Sequence, residues 1–451
     1  MKQSLLYVKR TIEIELPDSA VSIRPRDASP LRDFEKEYLK SLASPIGGPS
    51  LLSLLKKKNP KSVCVVVNDI TRPVPYAKFL PLLLSEIESA GVSHSSVTLL
   101  VATGMHRPST PGEKIEMFGR KTTERYRIVD HRADDPACLC RTGLRTASGT
   151  GISVNKAYAE ADFRILTGLI EPHFMAGFSG GRKSVCPGIA DLATISKFHG
   201  HGFLSDPKST NGVLEGNPCH AESLDTALAV RPDFIVNVAV NGSREIVGLF
   251  CGDLEKAHAE GVKFVRSLTE FPAEADADLV ITSGGGYPLD STFYQTVKGM
   301  VAALPFLKPD GVVITAAECR EGIGSREYRD LLFKYSSDWK KFLEDIASSG
   351  VVLKDQWELQ MQTRLLERTG RRNLVLCSEG IPGQEQERMQ VVPCEKFTDG
   401  SAGIEDKVKR TIGYFLEKIR APKVVVLPEG GYAYGRPANN SSAAAIGSRT
   451  S

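Results

Sequence analysis

The stretch SVCVVVNDITRPVPYAKFLPLLLSEIESAGVSHSSVTLLVATG, Ser62–Gly104, decides the fold class. Ser62–Val67 is continuous and β-branched, the mark of a strand buried on both faces. Phe79–Ala90 then shows helical spacing, and Gly91 follows it as a helix-ending residue. Ser96–Ala102 is a second buried strand, running into Thr103-Gly104. Strand, helix, strand in that order is one βαβ unit, the building block of a parallel sheet covered by helices.

The pattern continues outward. Tyr126–Asp130, Phe163–Thr167 and Phe234–Val240 read as strands, and Ile189–His199 and His220–Ala229 as helices. It restarts with a strand at Leu279–Ser283, a helix at Ser291–Ala303 and a strand at Gly311–Ala316. Helices follow near Arg326–Tyr335, Trp339–Ser348 and Gln356–Arg368, with strands at Leu374–Cys377 and Lys423–Leu427. Phe264–Asp276 holds no strong strand and contains FPAEADAD. The expected organisation is therefore two α/β domains with mainly parallel sheets, residues 1–272 and 273–436. A small, polar, flexible tail follows at 437–451.

A chain of 451 residues exceeds one small core. A net charge of +3 leaves no electrostatic footprint for nucleic acid or an anionic membrane. No apolar run approaches the length of a membrane span, and MKQSLLYVKRTIEIELPDS lacks the apolar core of a signal peptide. Nine scattered Cys suit reduced thiols, which places the protein in the cytoplasm. Cys138 and Cys140 form a CxC pair that no second pair answers, so unbridged thiols outweigh a zinc site.

In parallel sheets ligands bind at the carboxyl ends of the strands. Asp69 and Arg72 follow the first strand, and His106 and Arg107 the second. Glu171 and His173 follow Phe163–Thr167, and Tyr287 follows Leu279–Ser283. Four loops are thus expected to converge on one edge. In NDITRPVP (Asn68–Pro75) two prolines stiffen the turn. Arg72 there is either a fork for a carboxylate or phosphate or a local partner of Asp69. GMHRP sets His106 on a Gly/Pro-framed loop, where a structural His and an acid/base His both fit.

EPHFMAGFSGGRKSVCPG (Glu171–Gly188) combines a His, a Gly-rich turn, two cations and a Cys. GFSGGRKS nearly matches a P-loop, but Arg182 stands where the last Gly should be. A phosphate cradle of another kind and a structural Gly turn both remain open. The Rossmann fingerprint fails at Leu289, which argues against a bound nicotinamide. His199 and His201 alternate, and a helix running through 199 would point them apart, leaving one metal ligand rather than two. GGYPLDSTFYQTVKG (Gly285–Gly299) carries Tyr294, Gln295 and Lys298 on a predicted helix. That helix is either a solvated face or a binding face.

Taken in order, DITRPVP, TGMHRP, EPHFMAGFSGGRKSVCPG, His199, GGYPLDSTFYQTVKG and KDQWELQ (354–360) closely resemble the nickel-dependent lactate racemase family. The resemblance implies a two-domain α/β enzyme with its active site in the cleft between the domains. It implies a nickel-pincer nucleotide, a pyridinium mononucleotide carrying Ni through sulfur and carbon and held covalently by Lys183. By position, His199 is the expected nickel ligand, and His106 and His173 the paired acid/base residues. Arg72, Tyr294, Gln295, Lys298 and Trp357 are expected around the substrate. Asp69 is expected beside the cofactor, and Gly180, Gly181 and Arg182 against its phosphate.

The implied reaction is inversion of C2 of a 2-hydroxy acid, lactate or a larger 2-hydroxy or sugar acid. Abstracting the α-proton leaves a carbanion beside a carboxylate, whereas moving hydride to a cofactor gives a planar 2-keto acid. Proteins that make the cofactor and insert nickel are implied partners. The competing readings are a 2-hydroxyacid dehydrogenase and a non-catalytic carrier of the nickel nucleotide. A carrier would keep Lys183 and His199 without needing both His106 and His173.

Overall fold

In the computed structural model, residues 1–398 and 402–437 are described. The chain divides into two compact units. One comprises Arg26–His199 and Val213–Leu268, the other Met1–Pro25, Gly200–Gly212 and the chain from Thr269 onward.

The first unit holds strands β1 (Val63–Asn68), β2 (Val97–Ala102), β3 (Arg127–Asp130), β4 (Phe163–Leu169), β5 (Phe234–Val240) and β6 (Ile246–Gly252). They form one sheet in the order β6-β5-β4-β1-β2-β3. All neighbours are parallel except β5 and β6. Period two sends alternate side chains of β1 to opposite faces. Val63, Val65 and Val67 enter a core with Phe79 and Leu83, while Cys64 and Val66 enter another with Tyr158 and Val185. That double burial explains the unbroken apolar run. Helix α1 (Tyr76–Ser89) begins three residues before the expected Phe79. Its Tyr76 hydroxyl accepts the Asn68 N–H at 2.6 Å and meets Thr167 Oγ1 at 3.1 Å, tying the ends of β1 and β4 together.

The second unit holds β7 (Ala277–Ser283), α2 (Phe293–Val301), β8 (Leu307–Ala316), α3 (Gln356–Thr369), β9 (Leu374–Cys377), β10 (Val392–Pro393) and β11 (Val424–Leu427). Its parallel sheet runs β10-β9-β8-β7-β11, closed at the edge by Val21–Ser22.

The units differ from the expected division in two places. A hairpin, Lys2–Tyr7 with Arg10–Glu15, buries its alternating Leu5, Tyr7, Ile12 and Ile14 in the core of β7, β8 and β11. Residues 1–25 therefore group with the later sheet. Gly200–Gly212 does so too, because Arg364 donates to the Ser209 carbonyl at 2.9 Å and Gln360 to that of His201 at 3.3 Å. The boundary segment Phe264–Asp276, read as holding no strong strand, contains regular elements. A helix runs Leu254–Thr269, and Glu270–Ala273 pairs with Tyr434–Pro437. Pro437, grouped with the tail in the sequence reading, thus ends a strand, and the rest of that tail lies outside the described residues. Among the described residues no helix is long and apolar enough to cross a membrane.

Candidate active site

From β1 the chain steps to β2 and β3 on one side, then returns to β4 and β5 on the other. The order reverses between β1 and β4, and the crevice beyond their carboxyl ends is where such sheets take ligands. The loops after β1, β2 and β4 carry Asp69, Arg72, His106, Glu171 and His173. Tyr287 follows β7 in the other sheet. The expected convergence of four loops is therefore three loops on one sheet and a fourth on another.

His106 Nδ1 lies 2.6 Å from Asp69 Oδ2. The imidazole is 42% exposed and the carboxylate 8%. Burial would raise the Asp69 pKa, but the charge and hydrogen bond of His106, the Thr71 hydroxyl and Arg72 together hold it below the usual value. An ionised Asp69 keeps the His106 proton on Nδ1 and turns the Nε2 lone pair outward.

The Arg72 backbone closes the turn on the Asp69 carbonyl at 3.1 Å, but its guanidinium turns elsewhere. Its Nη1 reaches across the crevice to Glu171 Oε1 at 3.5 Å.

His173 Nδ1 accepts the Met175 and Ala176 N–H groups, each at 3.2 Å. Its neutral ring therefore carries its proton on Nε2. That atom lies 3.0 Å from Lys183 Nζ, so the amine accepts and is uncharged. Burial, reinforced by Arg72 and Arg182, pushes the Lys183 pKa well below normal, which agrees with this assignment. His106 and His173 thus rest in opposite tautomers.

The Gly turn differs from the expected phosphate cradle. Gly180 and Gly181 have φ of +77° and +50°. A Cβ there would strike Ile170 at 2.8 Å or His258 at 2.9 Å, so the glycines allow packing against the protein itself. The Gly181 N–H donates to Asn237 Oδ1 at 2.9 Å. Arg182 is 1% exposed. Its guanidinium donates to the carbonyls of Ala176 and Phe178, each at 2.9 Å, and meets His258 Nε2 at 2.9 Å. These three residues brace the lysine mount, with the Arg182 guanidinium held by protein groups. Asn237 and His258 were not singled out in the sequence, since both lie in otherwise ordinary strand and helix patterns.

The expected helix Ile189–His199 is Leu192–Phe198, started by Asp191 accepting the Thr194 N–H at 3.0 Å. His199 is its C-cap, and His201 opens a separate short helix in the other unit. His199 Nδ1 donates to the Ile195 carbonyl at 3.1 Å, which places the proton of the neutral ring on Nδ1. Burial first, then Lys183, pushes its pKa down to about 3, so the ring is neutral. Among the described residues no group of three or more His, Cys, Asp or Glu could hold a metal ion. A metal bound through His199 must then bring its other ligands with it. A neutral amine for acylation and one neutral imidazole for metal are what a covalently held metal nucleotide requires, so these residues fit the implied cofactor.

In the second unit Thr292 caps α2 through the Gln295 N–H at 3.3 Å. Lys298 Nζ donates to Gln295 Oε1 at 2.6 Å. Trp357 Nε1, on α3, donates to the Tyr294 hydroxyl at 2.7 Å, and Tyr328 packs edge-on against Tyr294 at 5.3 Å. The α2 face is thus linked to α3 rather than fully solvated. A groove of about 450 Å³ beside Arg326, Arg329 and Pro382 holds none of the expected residues.

Residues 7–212 match the family model for the lactate racemase N-terminal domain, and 273–430 that for the lactate racemase C-terminal domain. A lactate racemase of Thermoanaerobacterium thermosaccharolyticum is 39% identical over 366 residues, 80% of this chain and 84% of the relative. One from Lactiplantibacillus plantarum is 38% identical over 369 residues, 80% of this chain and 85% of the relative. The structure of the lactate racemase apoprotein from T. thermosaccharolyticum superposes with TM-score 0.87 at 33% identity, covering 97% of this chain and all of that one. A Thermotoga maritima protein shares the fold at TM-score 0.66 and 19% identity, covering 91% of this chain and all of that one.

Proposed function

The chain belongs to the lactate racemase family and is an isomerase of the racemase type acting on a small molecule, and we propose that it inverts C2 of a 2-hydroxy acid, with lactate the first candidate and larger 2-hydroxy or sugar acids beyond it. The observation that carries this reading is the pair of histidines, His106 Nδ1 2.6 Å from Asp69 and His173 Nε2 3.0 Å from Lys183.

Lys183 would hold a nickel-pincer nucleotide covalently, and His199 would ligate its nickel through Nε2. When bound, that group supplies the hydride acceptor that lets C2 become planar in a 2-keto acid. Asp69 would stand beside that group when it is bound, and it keeps His106 ready as a base. Gly180, Gly181 and Arg182 seat Lys183. Arg72 takes the substrate carboxylate through its guanidinium fork. Tyr294, Gln295, Lys298 and Trp357 serve the remaining substrate oxygens.

His106 receives the hydroxyl proton of one enantiomer at Nε2, and Asp69 stabilises the imidazolium. Forming the other enantiomer requires a proton at the C2 oxygen, which His173 would return from its imidazolium form, while the proton taken by His106 leaves to solvent, so each turnover balances. The two enantiomers present their hydroxyls differently, which explains two histidines where one would serve a one-directional enzyme. The carboxylate stays on Arg72 while the planar intermediate reorients.

Partners in this reading are the proteins that make the cofactor and insert nickel, and the site of action is the cytoplasm. Nine cysteines, all without disulfides, support that location. The test is turnover of lactate deuterated at C2 in ordinary water by cofactor-loaded protein. Inversion with deuterium retained is expected. Loss of deuterium to solvent would refute hydride storage in favour of a carbanion.

A further inference from the structure

We infer that Glu171 is a positioning residue whose carboxylate sets the Arg72 guanidinium for the substrate carboxylate. This rests on the reading of Arg72 given above. Arg72 Nη1 and Glu171 Oε1 lie 3.5 Å apart, with the side chains 24% and 16% exposed. The contact joins the loops after β1 and β4 across the crevice where the sheet order reverses.

Glu171 stands on a rigid mount. Its N–H donates to Ser179 Oγ at 2.9 Å, and its carbonyl accepts the Ser179 N–H at 2.9 Å. The same hydroxyl donates to the Leu169 carbonyl at 2.7 Å. Pro172 follows and holds Glu171 extended. Arg72 is fixed as well. Its N–H donates to the Asp69 carbonyl at 3.1 Å, and its carbonyl accepts the Val74 N–H at 2.8 Å. A guanidinium carries five donors in one plane, so one edge can hold Glu171 while another receives a substrate carboxylate.

The placement also separates two duties. Asp69 sits three residues before Arg72 and already feels its charge. Without Glu171, Arg72 would turn to Asp69 and compete with His106 for that carboxylate. Glu171 draws the cation away, so Asp69 serves the base and Arg72 serves the substrate.

The test compares wild type, Glu171→Gln, Glu171→Asp, Arg72→Ala and the Arg72→Ala/Glu171→Gln double variant. Racemisation of lactate is measured, each value normalised to the covalent cofactor mass on the protein. Glu171→Gln should raise KM about tenfold and change kcat less than about threefold. Glu171→Asp should recover part of the loss, and Glu171→Gln should add nothing once Arg72 is Ala. An unchanged or lowered KM in Glu171→Gln, with Arg72→Ala impaired, overturns the positioning role alone. An unchanged KM in Arg72→Ala overturns the reading of Arg72 itself, and the inference with it. Because the Ser179 bonds use only the Glu171 backbone, the Gln variant keeps its mount.

Discussion

The imidazole of His106 and the carboxylate of Asp69 form a 2.6 Å pair between loops that follow adjacent strands, with the acid buried and the base exposed. The buried partner sets the tautomer and the exposed partner meets the substrate. Asp69→Asn should keep the fold and lower kcat about a hundredfold, with little change in KM, because an amide no longer favours imidazolium. The pH dependence has a definite sign. Asp69 has a lowered folded pKa, so its stabilisation is present above the ordinary value near ~4 and fades as pH falls through the folded value. Urea midpoints between pH 7 and 3 should fall less steeply in Asp69→Asn. Parallel curves would deny the pair any share in stability.

Lys183 is an amine held neutral by burial beside His173. A lysine with a depressed folded pKa binds fewer protons folded than unfolded between the two values, so stability rises with pH across that window. Cofactor-free Lys183→Met should melt a few degrees above wild type at pH 7, and the gap should narrow by pH 9. Intact mass of protein expressed with the cofactor-making proteins gives a second readout. Lys183→Ala should carry no adduct, and an adduct that persists would exclude Lys183 as the anchor.

His199 offers one nitrogen where no cluster of three or more metal-binding residues stands among the described residues. Replacing it with Ala should leave the Lys183 adduct in place and lower retained nickel about 10- to 100-fold after dialysis. Elemental analysis against adduct mass separates these outcomes. Equal nickel in both proteins would remove His199 from the metal's ligands.

Trp357 reaches Tyr294 through a 2.7 Å hydrogen bond between α3 and α2. Trp357→Phe keeps an aromatic ring but loses the donor, worth about 1 kcal/mol, together with the volume of the fused five-membered ring. A roughly fivefold rise in KM for lactate is expected. Steady-state kinetics identical to wild type would make the contact purely structural.

The N-terminal hairpin belongs to the later sheet, so a cavity in it should weaken that unit. Ile12 is fully buried among β7, β8 and β11 side chains. Ile12→Ala should cost about 2–5 kcal/mol. Hydrogen exchange should quicken in β11 while β1 and β4 keep their protection. Uniform loss across both sheets would contradict this division.

Much of the architecture was legible in the chain itself. Continuous β-branched runs at Val63–Asn68 and Phe234–Val240 mark strands covered on both faces, and the helices between them follow from apolar spacing within a dozen residues. The hairpin Lys2–Glu15 carries the period-two signal plainly, yet nothing local says which sheet its apolar face will join. The motifs also announced His106, His173, Lys183 and His199 one by one. Their partners could not be read there. His106 pairs across 37 residues and Arg72 across 99, and the sequence left Arg72 equally suited to Asp69.

The order of the sheet made those choices. By reversing between β1 and β4 it brought three loops to one crevice, where burial left Lys183 neutral, turned Arg182 inward and gave the two histidines opposite tautomers. Periodicity is a property of neighbours along the chain, so sequence alone determined the strands and helices. Pairing and protonation depend on distance and desolvation, and these exist only after the loops have met.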